Sequence, residues 1–455
     1  MNETTVAAIS TPNAPGGIGI IRISGSEALS ITDRVFRPVS GAKLAGSPGY
    51  RAYFGSVEYG GEKIDEAVCL VFRAPNSYTG EDVAEINCHG GLYITKQVLR
   101  AVLEAGAEPA GPGEFTKRAF LNGKRDLASA ESVMAFISAS GKEAAAAALN
   151  TMDGKLSGRI AACRDRITGV CASLSAWVDY PDEEIEEISA DEIRRTFTEV
   201  RAELEEIIHR YDSGKAFTQG VDTVIVGKPN VGKSAVMNML SGYDRSIVTD
   251  IAGTTRDVVE ERITLGGIIL NVADTAGMRE TENIVENIGV NLAEKRLSRA
   301  SLVLAVFDGS SPLTDEDRAV AGKCRDKIKI ALLNKSDLPS AAEREEIKKE
   351  FDNVIEISAL TGEGFPELEK TVSKLLSAGD FDPNSACLTG ERQRACCLEA
   401  VRHLEEGIAA LDGGMTLDAV NVCADCAVDS LLELTGEKAT DTVVNEIFSR
   451  FCVGK

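Results

Sequence analysis

The sequence predicts a multidomain protein that combines α/β domains with an all-α domain, and three observations predict this class. Strand-like apolar runs alternate with polar turns over residues 1–118. Alanine-rich and amphipathic helical patterns occupy residues 119–215 and 381–455. Between them, over residues 216–380, buried strand-like runs alternate with helical stretches, which is typical of a doubly wound parallel sheet. A chain of 455 residues is long enough for two or three such domains.

Composition and charge narrow the functional classes. Hydrophobic residues make up 44% and charged residues 26% of the chain, as in soluble globular proteins, and no apolar run reaches the ~18 residues of a membrane span. The start MNETTVAAIS lacks a basic segment, so we expect no signal peptide. Eleven scattered cysteines favour reduced thiols and a cytoplasmic location. A net charge of −22 argues against broad, charge-driven nucleic-acid binding, although a local basic patch or a partner's surface could hold RNA.

The first domain, residues 1–118, reads as mixed α/β. No nucleophile with an adjacent base is evident in it, so composition alone predicts a binding domain of unknown ligand. The apolar patterns predict strands at Thr5–Ile9, Ile18–Ile23, Tyr50–Val57, Ala67–Phe72 and Val83–Cys88, with helices at Glu27–Val35 and Tyr93–Ala105.

Helical segments precede and follow residues 216–380. Alanine is the best helix former, and the alanine-rich stretch Asp126–Asn150 predicts a helix, followed by helices at Leu156–Asp179 and Ala190–Tyr211. The last ends at a predicted cap and hinge, Ser213-Gly214-Lys215. Apolar residues at helical spacing also mark two faces between residues 398 and 434. Because two or three helices alone form a marginal core, we expect them to pack on the helices of residues 119–215. Residues 216–380 would then be an insertion into one helical domain.

The inserted region opens with Val221–Ser234, VDTVIVGKPNVGKS. A β-branched apolar strand leads into the G-x-x-x-x-G-K-S spacing of a phosphate-binding loop. In such a loop the backbone N–H groups and the following helix N-terminus face the phosphates. Lys233 would reach the β/γ oxygens, and the Ser234 hydroxyl would ligate Mg²⁺. The loop residues proposed to contact nucleotide are Asn230, Val231, Gly232, Lys233, Ser234 and Ala235.

Three further motifs follow in the order that a guanine-nucleotide switch requires, each at the end of a predicted strand where open α/β sheets bind ligands. Asp337, the last residue of the second motif, can accept hydrogen bonds from both N–H groups of a guanine edge. Thr255, in the preceding Gly253-Thr254-Thr255-Arg256-Asp257 stretch, is the expected second Mg²⁺ ligand. GTP is therefore the predicted nucleotide. The motifs are Asp274-Thr275-Ala276-Gly277, Asn334-Lys335-Ser336-Asp337 and Ser358-Ala359-Leu360, and the predicted contacts include Asp274, Thr275, Ala276, Gly277, Asn334, Lys335, Asp337, Ser358, Ala359 and Leu360.

With these motifs in place, essentially the whole chain resembles the bacterial MnmE (TrmE) family of tRNA-modification GTPases. The guanine-nucleotide motifs and the tail Phe451–Lys455 carry part of the resemblance. The rest is carried by Pro15–Ile20 with Arg22–Gly25, Asn76–Asp82 (NSYTGED), His89-Gly90-Gly91, Pro112–Phe115 (PGEF), Arg118–Asn122 and Asp182–Ile185. The resemblance implies an N-terminal α/β folate-binding domain that dimerises, a central helical domain, and an inserted Ras-like P-loop GTPase domain. It places their boundaries at residues 1–118, 119–215, 216–380 and 381–455.

The resemblance also implies an activity. Together with the flavin-dependent partner MnmG (GidA), such a homodimer installs an aminomethyl or carboxymethylaminomethyl group on C5 of the wobble uridine (U34) of certain tRNAs. The one-carbon donor would be 5-formyl-tetrahydrofolate or a related folate. Its matching residues are Arg22, Glu81, Lys124 and Lys455. One carboxylate to read the pterin and three cations for the glutamate tail suit that ligand.

The family resemblance further implies K⁺-dependent pairing of two GTPase domains. The ion's ligands would be Asn230 with oxygens of Thr249, Ile251 and Thr254, within a wider nucleotide-contacting stretch that also includes Asp250, Ala252 and Gly253. Met278 follows Gly277, and methionine can neither orient water nor stabilise charge as other GTPases require. A monovalent cation could supply that charge, and Arg256 as an arginine finger is the less favoured alternative.

The residues predicted to take part in chemistry are Lys233, Thr255, Glu286 and Cys452. Glu286 aligns with a family glutamate that positions the attacking water indirectly, or it is an exposed residue at a helix start. Cys452 matches the family's C-terminal cysteine. It could add to C6 of uridine as a thiolate, or have only a positional role near the folate.

Two other functional classes stay open from sequence. The first is a ribosome-assembly or signalling GTPase whose N-terminal domain only recruits, although such a protein has no use for Arg22, Glu81 and the Cys452–Lys455 tail. The second is a stand-alone folate enzyme regulated by GTP, for which no catalytic base is evident. His89 and the Cys423-x-x-Cys426 pair are interpreted as packing residues rather than metal ligands.

Overall fold

The computed structural model describes residues 4–179, 189–243, 260–273, 297–298, 300–325, 327–376 and 382–455. The chain divides into two compact units. The first comprises Met1–Met134, Thr151–Glu203 and Gly390–Lys455, and the second comprises Ala135–Asn150 and Leu204–Thr389. Within the described ranges, no helix is both long enough and apolar enough to cross a membrane.

The first unit contains a seven-stranded sheet with the order β3-β4-β5-β6-β2-β1-β7. Neighbouring strands are antiparallel except for β1 and β7, which pair in parallel. Alternating side chains of β2 and β6, such as Ile21, Ile23 and Ile86, are fully buried in the core against the helices Ala28–Val35 and Leu92–Glu104. The strands are β1 Val6–Ile9, β2 Ile18–Ser24, β3 Phe36–Pro38, β4 Arg51–Tyr59, β5 Glu62–Phe72, β6 Val83–His89 and β7 Glu108–Pro109.

The five strands predicted in this region are confirmed, with differences at their ends. β5 begins five residues before the predicted start at Ala67 because its first part, EKIDE, is polar and mostly exposed and carries no apolar signal. β3 and β7 are only three and two residues long. Such short edge strands carry no detectable periodicity, so the sequence did not predict them.

Helices complete the first unit, and the C-terminal ones pack as expected. Leu417–Thr435 packs against both Glu391–Asp412 and Lys155–Asp179. Asp441–Ser449 packs on Leu127–Ile137 through an apolar cluster that includes Val444, Phe448 and Phe451. The other helix entirely within this unit is Glu114–Leu121.

The predicted helix Asp126–Asn150 is wrong as a single element. The structure has two helices, Leu127–Ile137 and Lys142–Met152. The Ser138 hydroxyl donates to the carbonyl of Ala135, a local bond that competes with helix continuation. Gly141, before the second helix, is a poor helix former. The alanine content that predicted one helix therefore did not prevent a break.

The predicted helix end at Ser213-Gly214-Lys215 is also wrong. The helix runs from Ala190 to Thr218 and passes through Gly214. It ends instead before Gly220, whose φ of 89° is in the left-handed region. The backbone N–H groups of Gln219 and Gly220 both donate to the carbonyl of Lys215, which is a common way to end a helix.

The second unit contains a six-stranded sheet with the order β13-β12-β11-β8-β10-β9. All neighbours are parallel except the hairpin β9–β10, which turns at Gly266-Gly267. The carboxyl ends of the parallel strands therefore share one edge. The strands are β8 Val221–Val226, β9 Glu260–Leu265, β10 Ile268–Ala273, β11 Leu302–Asp308, β12 Ile328–Asn334 and β13 Val354–Glu356, and the helices are Lys233–Tyr243, Asp315–Lys323, Arg344–Ile347 and Phe365–Leu376.

Candidate functional site

The loop between β8 and the helix Lys233–Tyr243 has the geometry of an anion site. Asn230 and Gly232 have φ values of 63° and 98°, left-handed conformations that asparagine and glycine tolerate. The ammonium of Lys233 donates to the carbonyls of Gly227 and Lys228, each at 2.9 Å. Burial lowers the pKa of Lys233, so an anion beside this ammonium would be stabilised. The loop and the helix N-terminus therefore suit a phosphate group.

Asn334 joins this loop to the loop after β13. Its side chain is 2% exposed, and its Nδ2 donates to the carbonyl of Val231 at 2.8 Å. Its Oδ1 accepts from the backbone N–H of Ala359 at 3.0 Å. A Cβ on Gly232 would lie 2.2 Å from Asn334 Nδ2, so only glycine fits there. Three of the predicted motifs are thus connected by one buried amide.

Asp337 is held where a base-reading carboxylate is expected. The hydroxyl of Ser358 donates to Asp337 Oδ1 at 2.6 Å, and Leu360 in the same loop is 85% exposed. Lys335, at φ 70°, forms a 2.6 Å ion pair with Asp308. Burial opposes ionisation of Asp308, but hydrogen bonds from Lys335 and Ser310 lower its pKa to about 2. The loop after β12 is therefore fixed by charge at the sheet edge.

Several predicted site residues lie outside the described residues. Ser234 and Asn230 are the members of the predicted Mg²⁺ and K⁺ sets that the structure describes. The strands of the hairpin β9–β10, which border those segments, belong to the six-stranded sheet. The residues outside the described ranges are Thr249, Asp250, Ile251, Ala252, Gly253, Thr254, Thr255, Arg256, Asp274, Thr275, Ala276, Gly277, Met278 and Glu286.

A second constellation surrounds Arg22 on β2 of the first unit. Its Nε pairs with Glu85 on the neighbouring strand at 2.8 Å. Its guanidinium lies 5.3 Å from the ring centroid of Tyr78 and 5.5 Å from that of Phe115. Two aromatic faces and one carboxylate thus orient this guanidinium, and its Nη1 also reaches the carbonyl of Gly454 at 3.4 Å.

Glu81 is held beside the same strand by residues that sequence reasoning did not single out. Ser24 donates to Glu81 Oε2 at 2.7 Å. Arg118, which is 1% exposed, lies 3.1 Å from the same oxygen and also pairs with Glu114 at 3.0 Å. It further donates to the carbonyl of Thr4. Arg118 lies in a stretch that carries the family resemblance, and its helical i, i+4 spacing from Glu114 is a second sequence signal for this buried cation.

The C-terminal tail reaches this constellation. The Ser10 hydroxyl donates to the carbonyl of Gly454 at 3.0 Å, and the Phe115 backbone N–H donates to the carbonyl of Lys455 at 3.1 Å. Gly454 has φ 95°, and a Cβ there would lie 2.4 Å from the carbonyl oxygen of Ile9. Burial, followed by the charge of Arg22, lowers the pKa of Lys455. Two cations are therefore close together, an arrangement that favours an anionic ligand.

The remaining predicted residues are placed as follows. Lys124 donates to the carbonyl of Pro75 at 3.1 Å, and its side chain lies against Gly80, the residue before Glu81. Cys452 is exposed, and its carbonyl accepts from Gly113 at 3.3 Å. His89 pairs with Asp65 at 2.7 Å. Across the part of the chain that the structure describes, no group of three or more histidine, cysteine, aspartate or glutamate side chains is arranged to hold a metal ion.

Two family models match this chain. The model described as "MnmE helical domain" matches residues 127–452, and the model described as "GTP-binding protein TrmE N-terminus" matches residues 5–124. Among solved structures, Era from Aquifex aeolicus has 29% identity over 40% of this chain and 66% of its own, with a TM-score of 0.29, too low a similarity to carry an argument about the fold.

Curated relatives match over the full length. The tRNA modification GTPase MnmE of Acetivibrio thermocellus is 40% identical over 458 residues, which covers 100% of this chain and 99% of the relative. The protein of the same name from Clostridioides difficile is 40% identical over 456 residues, again 100% of this chain and 99% of the relative. With both family models and these relatives together spanning the two sites described above, the chain belongs to the MnmE family of tRNA modification GTPases.

Proposed function

We propose that this chain binds GTP with Mg²⁺ and hydrolyses it in the course of tRNA modification. The observation that carries the proposal is the buried Asn334 amide, which holds the phosphate loop through Val231 and the base-side loop through Ala359. A nucleotide spans such a pair of loops with its phosphates at one and its base at the other. Asp337, fixed by Ser358, would read the guanine.

Residues in and around the phosphate loop would bind the metal ions and position the attacking water. Ser234 and Thr255 would ligate Mg²⁺, and Lys233 would exchange its carbonyl partners for phosphate oxygens. Asn230, with oxygens of Thr249, Ile251 and Thr254, would hold K⁺ between two paired GTPase domains. K⁺ supplies positive charge beside the phosphates, and Glu286 would help position the attacking water.

The second constellation would bind 5-formyl-tetrahydrofolate. Glu81 would read the pterin, and Arg22, Lys124 and Lys455 would attract the glutamate tail. Burial and then the charge of Arg22 lower the pKa of Lys455, and this pair of neighbouring cations supports an anion at this place. We propose that the chain works as a homodimer with flavin-dependent MnmG. Together they would add an aminomethyl or carboxymethylaminomethyl group at C5 of U34, with Cys452 near the one-carbon unit.

The domain boundaries at residues 118, 215 and 380 belong to the same proposal. Folate binding and dimerisation would reside in residues 1–118, and the GTPase domain in residues 216–380. Residues 119–215 and 381–455 would form one helical domain interrupted by the GTPase. Opening and closing of paired GTPase domains would act on this helical domain, a switch driven by nucleotide-dependent ordering.

The experiment that tests the proposal is GTP hydrolysis by the full chain in KCl and in NaCl at equal ionic strength. We expect K⁺ to raise the rate at least about tenfold, a modest share of what a transition-state cation contributes in other GTPases. Asn230→Ala should lose the difference between the salts. Asn384→Ala, an exposed residue of the second unit, should keep it.

Absence of GTP hydrolysis in both salts would contradict the GTPase assignment itself. Equal rates in the two salts would instead contradict the K⁺ mechanism and make Arg256 the leading source of charge. Hydrolysis with K⁺ dependence, but no folate binding, would favour a GTPase whose N-terminal domain only recruits.

A further inference from the structure

An aspartate outside all the predicted motifs contacts the phosphate loop. Asp317 lies in the first turn of the helix Asp315–Lys323 and is 3% exposed. Its Oδ2 accepts from the ammonium of Lys228 at 2.7 Å. The same oxygen accepts from the backbone N–H and the hydroxyl of Thr314, both at 2.8 Å. Burial opposes ionisation of Asp317, but the hydrogen bonds from Lys228 and Thr314 lower its pKa, so it is charged at neutral pH.

Lys228 is the second residue of the phosphate loop, and its ammonium is largely buried. The carbonyls of Gly227 and Lys228 are the two that receive Lys233. Gly227 itself lies against β11, because a Cβ there would be 2.5 Å from the carbonyl oxygen of Val306. The first turn of the loop is thus fixed by close packing at Gly227 and by an ion pair at Lys228.

The loop is therefore held at both ends. Asn334 holds its far end through Val231, and Asp317 holds its near end through Lys228. Asn334 is the last residue of β12, and Asp317 lies on the helix that follows β11, the strand paired with β12 in the same parallel sheet. A loop that is ordered before nucleotide arrives binds more tightly, because binding then loses less conformational entropy.

We propose that Asp317 is a positioning residue for the phosphates of GTP and GDP, acting through Lys228 on the first turn of the loop. The inference rests on the proposed nucleotide binding. Without the carboxylate, the Lys228 ammonium loses its buried partner and turns towards water. The peptide between Gly227 and Lys228 then moves with it, and Lys233 loses its fixed position.

The expected effect is on affinity rather than on the hydrolysis step. The ion pair is formed in the nucleotide-free loop, so it contributes equally to the bound ground state and to the transition state. Interactions of that kind change KM and leave kcat unchanged. A residue that only stabilised the fold would lower the melting temperature and change neither the Kd nor the KM at temperatures well below melting.

The variants follow from the geometry. Oδ1 of Asp317 has no hydrogen-bond partner among the described residues. Asp317→Asn can therefore keep an acceptor towards Thr314 and Lys228 while removing the charge. Lys228→Met removes the ammonium that pairs with Asp317, and Lys228→Arg keeps a positive charge at that position. Asp315→Asn is the matched control, because Asp315 lies in the same helical turn with a fully exposed side chain.

The measurement is the Kd of N-methylanthraniloyl-GDP for the full chain with Mg²⁺, together with kcat and KM for GTP. We expect Asp317→Asn and Lys228→Met each to weaken GDP binding about tenfold, the loss of one charge-assisted hydrogen bond. Their combination should be no weaker than the single variants, since both break one tether. Asp315→Asn should bind as the wild type does, and Lys228→Arg, which keeps the positive charge, should bind more tightly than Lys228→Met.

Wild-type affinity in both Asp317→Asn and Lys228→Met would overturn the proposal, as would additive losses in the double variant. A fall in kcat as large as the fall in kcat/KM would also overturn it. If Asp317→Asn does not fold, Lys228→Met alone decides between these outcomes. Failure of the wild type to bind GDP would contradict the proposed nucleotide binding, and is therefore distinguishable from failure of the positioning role.

Discussion

At the scale of single residues, Arg22 and Lys455 show a conflict that a ligand would resolve. Lys455 is half-buried next to another cation, and its pKa in the folded chain is lowered from the ordinary 10.5. The folded state therefore holds this proton less tightly than the unfolded state does. At pH values below the pKa that Lys455 has in the folded chain, the charged lysine destabilises the folded state to its full extent. This destabilisation is lost only as the pH rises towards 10.5. Near neutral pH, then, Lys455 destabilises the ligand-free protein.

Lys455→Met should consequently stabilise the free protein and weaken folate binding. We expect a gain of ~0.5 kcal/mol, the size of a partly screened charge interaction, together with loss of most of the melting-temperature increase produced by 5-formyl-tetrahydrofolate. Lys438→Met, at an exposed lysine, is the control. Thermal unfolding with and without the folate measures both effects. A variant that melts lower than the wild type and keeps the full folate shift would contradict the anion site.

Sequence motifs indicated candidate site residues, whose roles stay predictions, whereas contacts that arise only from packing were not predictable from the sequence. Arg22, Glu81 and Lys455 were predicted from motifs and share one neighbourhood in the structure. Arg118 stood inside a quoted motif, yet its burial between Glu81 and Glu114 depends on the approach of residues far apart in sequence. Periodicity does not report such a contact.

At the scale of elements, two glycines differ in whether the structure needs a glycine at their position. Gly169 lies inside the helix Lys155–Asp179, and a Cβ there would meet nothing within 4 Å. Gly113 precedes the helix Glu114–Leu121 with φ 63°, and a Cβ there would lie 2.8 Å from the carbonyl oxygen of Phe448. The first glycine only weakens a helix. The second is required by a left-handed backbone and by the C-terminal chain beside it.

Alanine substitutions should separate these roles. We expect Gly169→Ala to raise the free energy of unfolding by ~1 kcal/mol, the difference in helix propensity. Gly113→Ala should lower it by about 1–3 kcal/mol, through strain and the displaced carbonyl. Urea unfolding followed by circular dichroism measures both changes. Destabilisation by Gly169→Ala would show that this helix face has a partner that the open space around Gly169 does not suggest.

The strands of the second unit were the most predictable elements. β8, β11 and β12 are mostly apolar because both faces of a parallel strand are buried. Helix ends were less predictable. Gly214 has the composition of a cap but lies inside a helix whose neighbouring Tyr211 and Ala216 are buried. Tertiary burial there outweighs a propensity cost of about 1 kcal/mol.

At the scale of the whole molecule, the first unit is built from both ends of the chain. Ser10 and Gly454, 444 residues apart, share a hydrogen bond, and Pro112 pairs with Val453. The Arg22 constellation is therefore complete only after Gly454 and Lys455 have been synthesised. Contacts with such large sequence separation close long loops, and the entropy cost of that closure slows folding.

The net charge of the whole chain predicts how tightly it binds RNA. With a net charge of −22, the chain repels phosphates over most approaches. We expect the isolated chain to bind tRNA no more tightly than ~10 µM near physiological salt, within the range of non-specific association. Anisotropy of fluorescent tRNA at 50 and 200 mM KCl, salt levels chosen because charge-driven affinity changes steeply between them, tests this.

The proposed flavoprotein partner is the decisive variable in that measurement. If the partner supplies the phosphate contacts, its addition should tighten tRNA binding and restore a steep salt dependence, because counterions are then released from the RNA. Sub-micromolar binding by this chain alone, with the same steep salt dependence, would instead require a basic groove on its own surface. The tRNA contacts would then have to be sought on a chain whose overall charge opposes them.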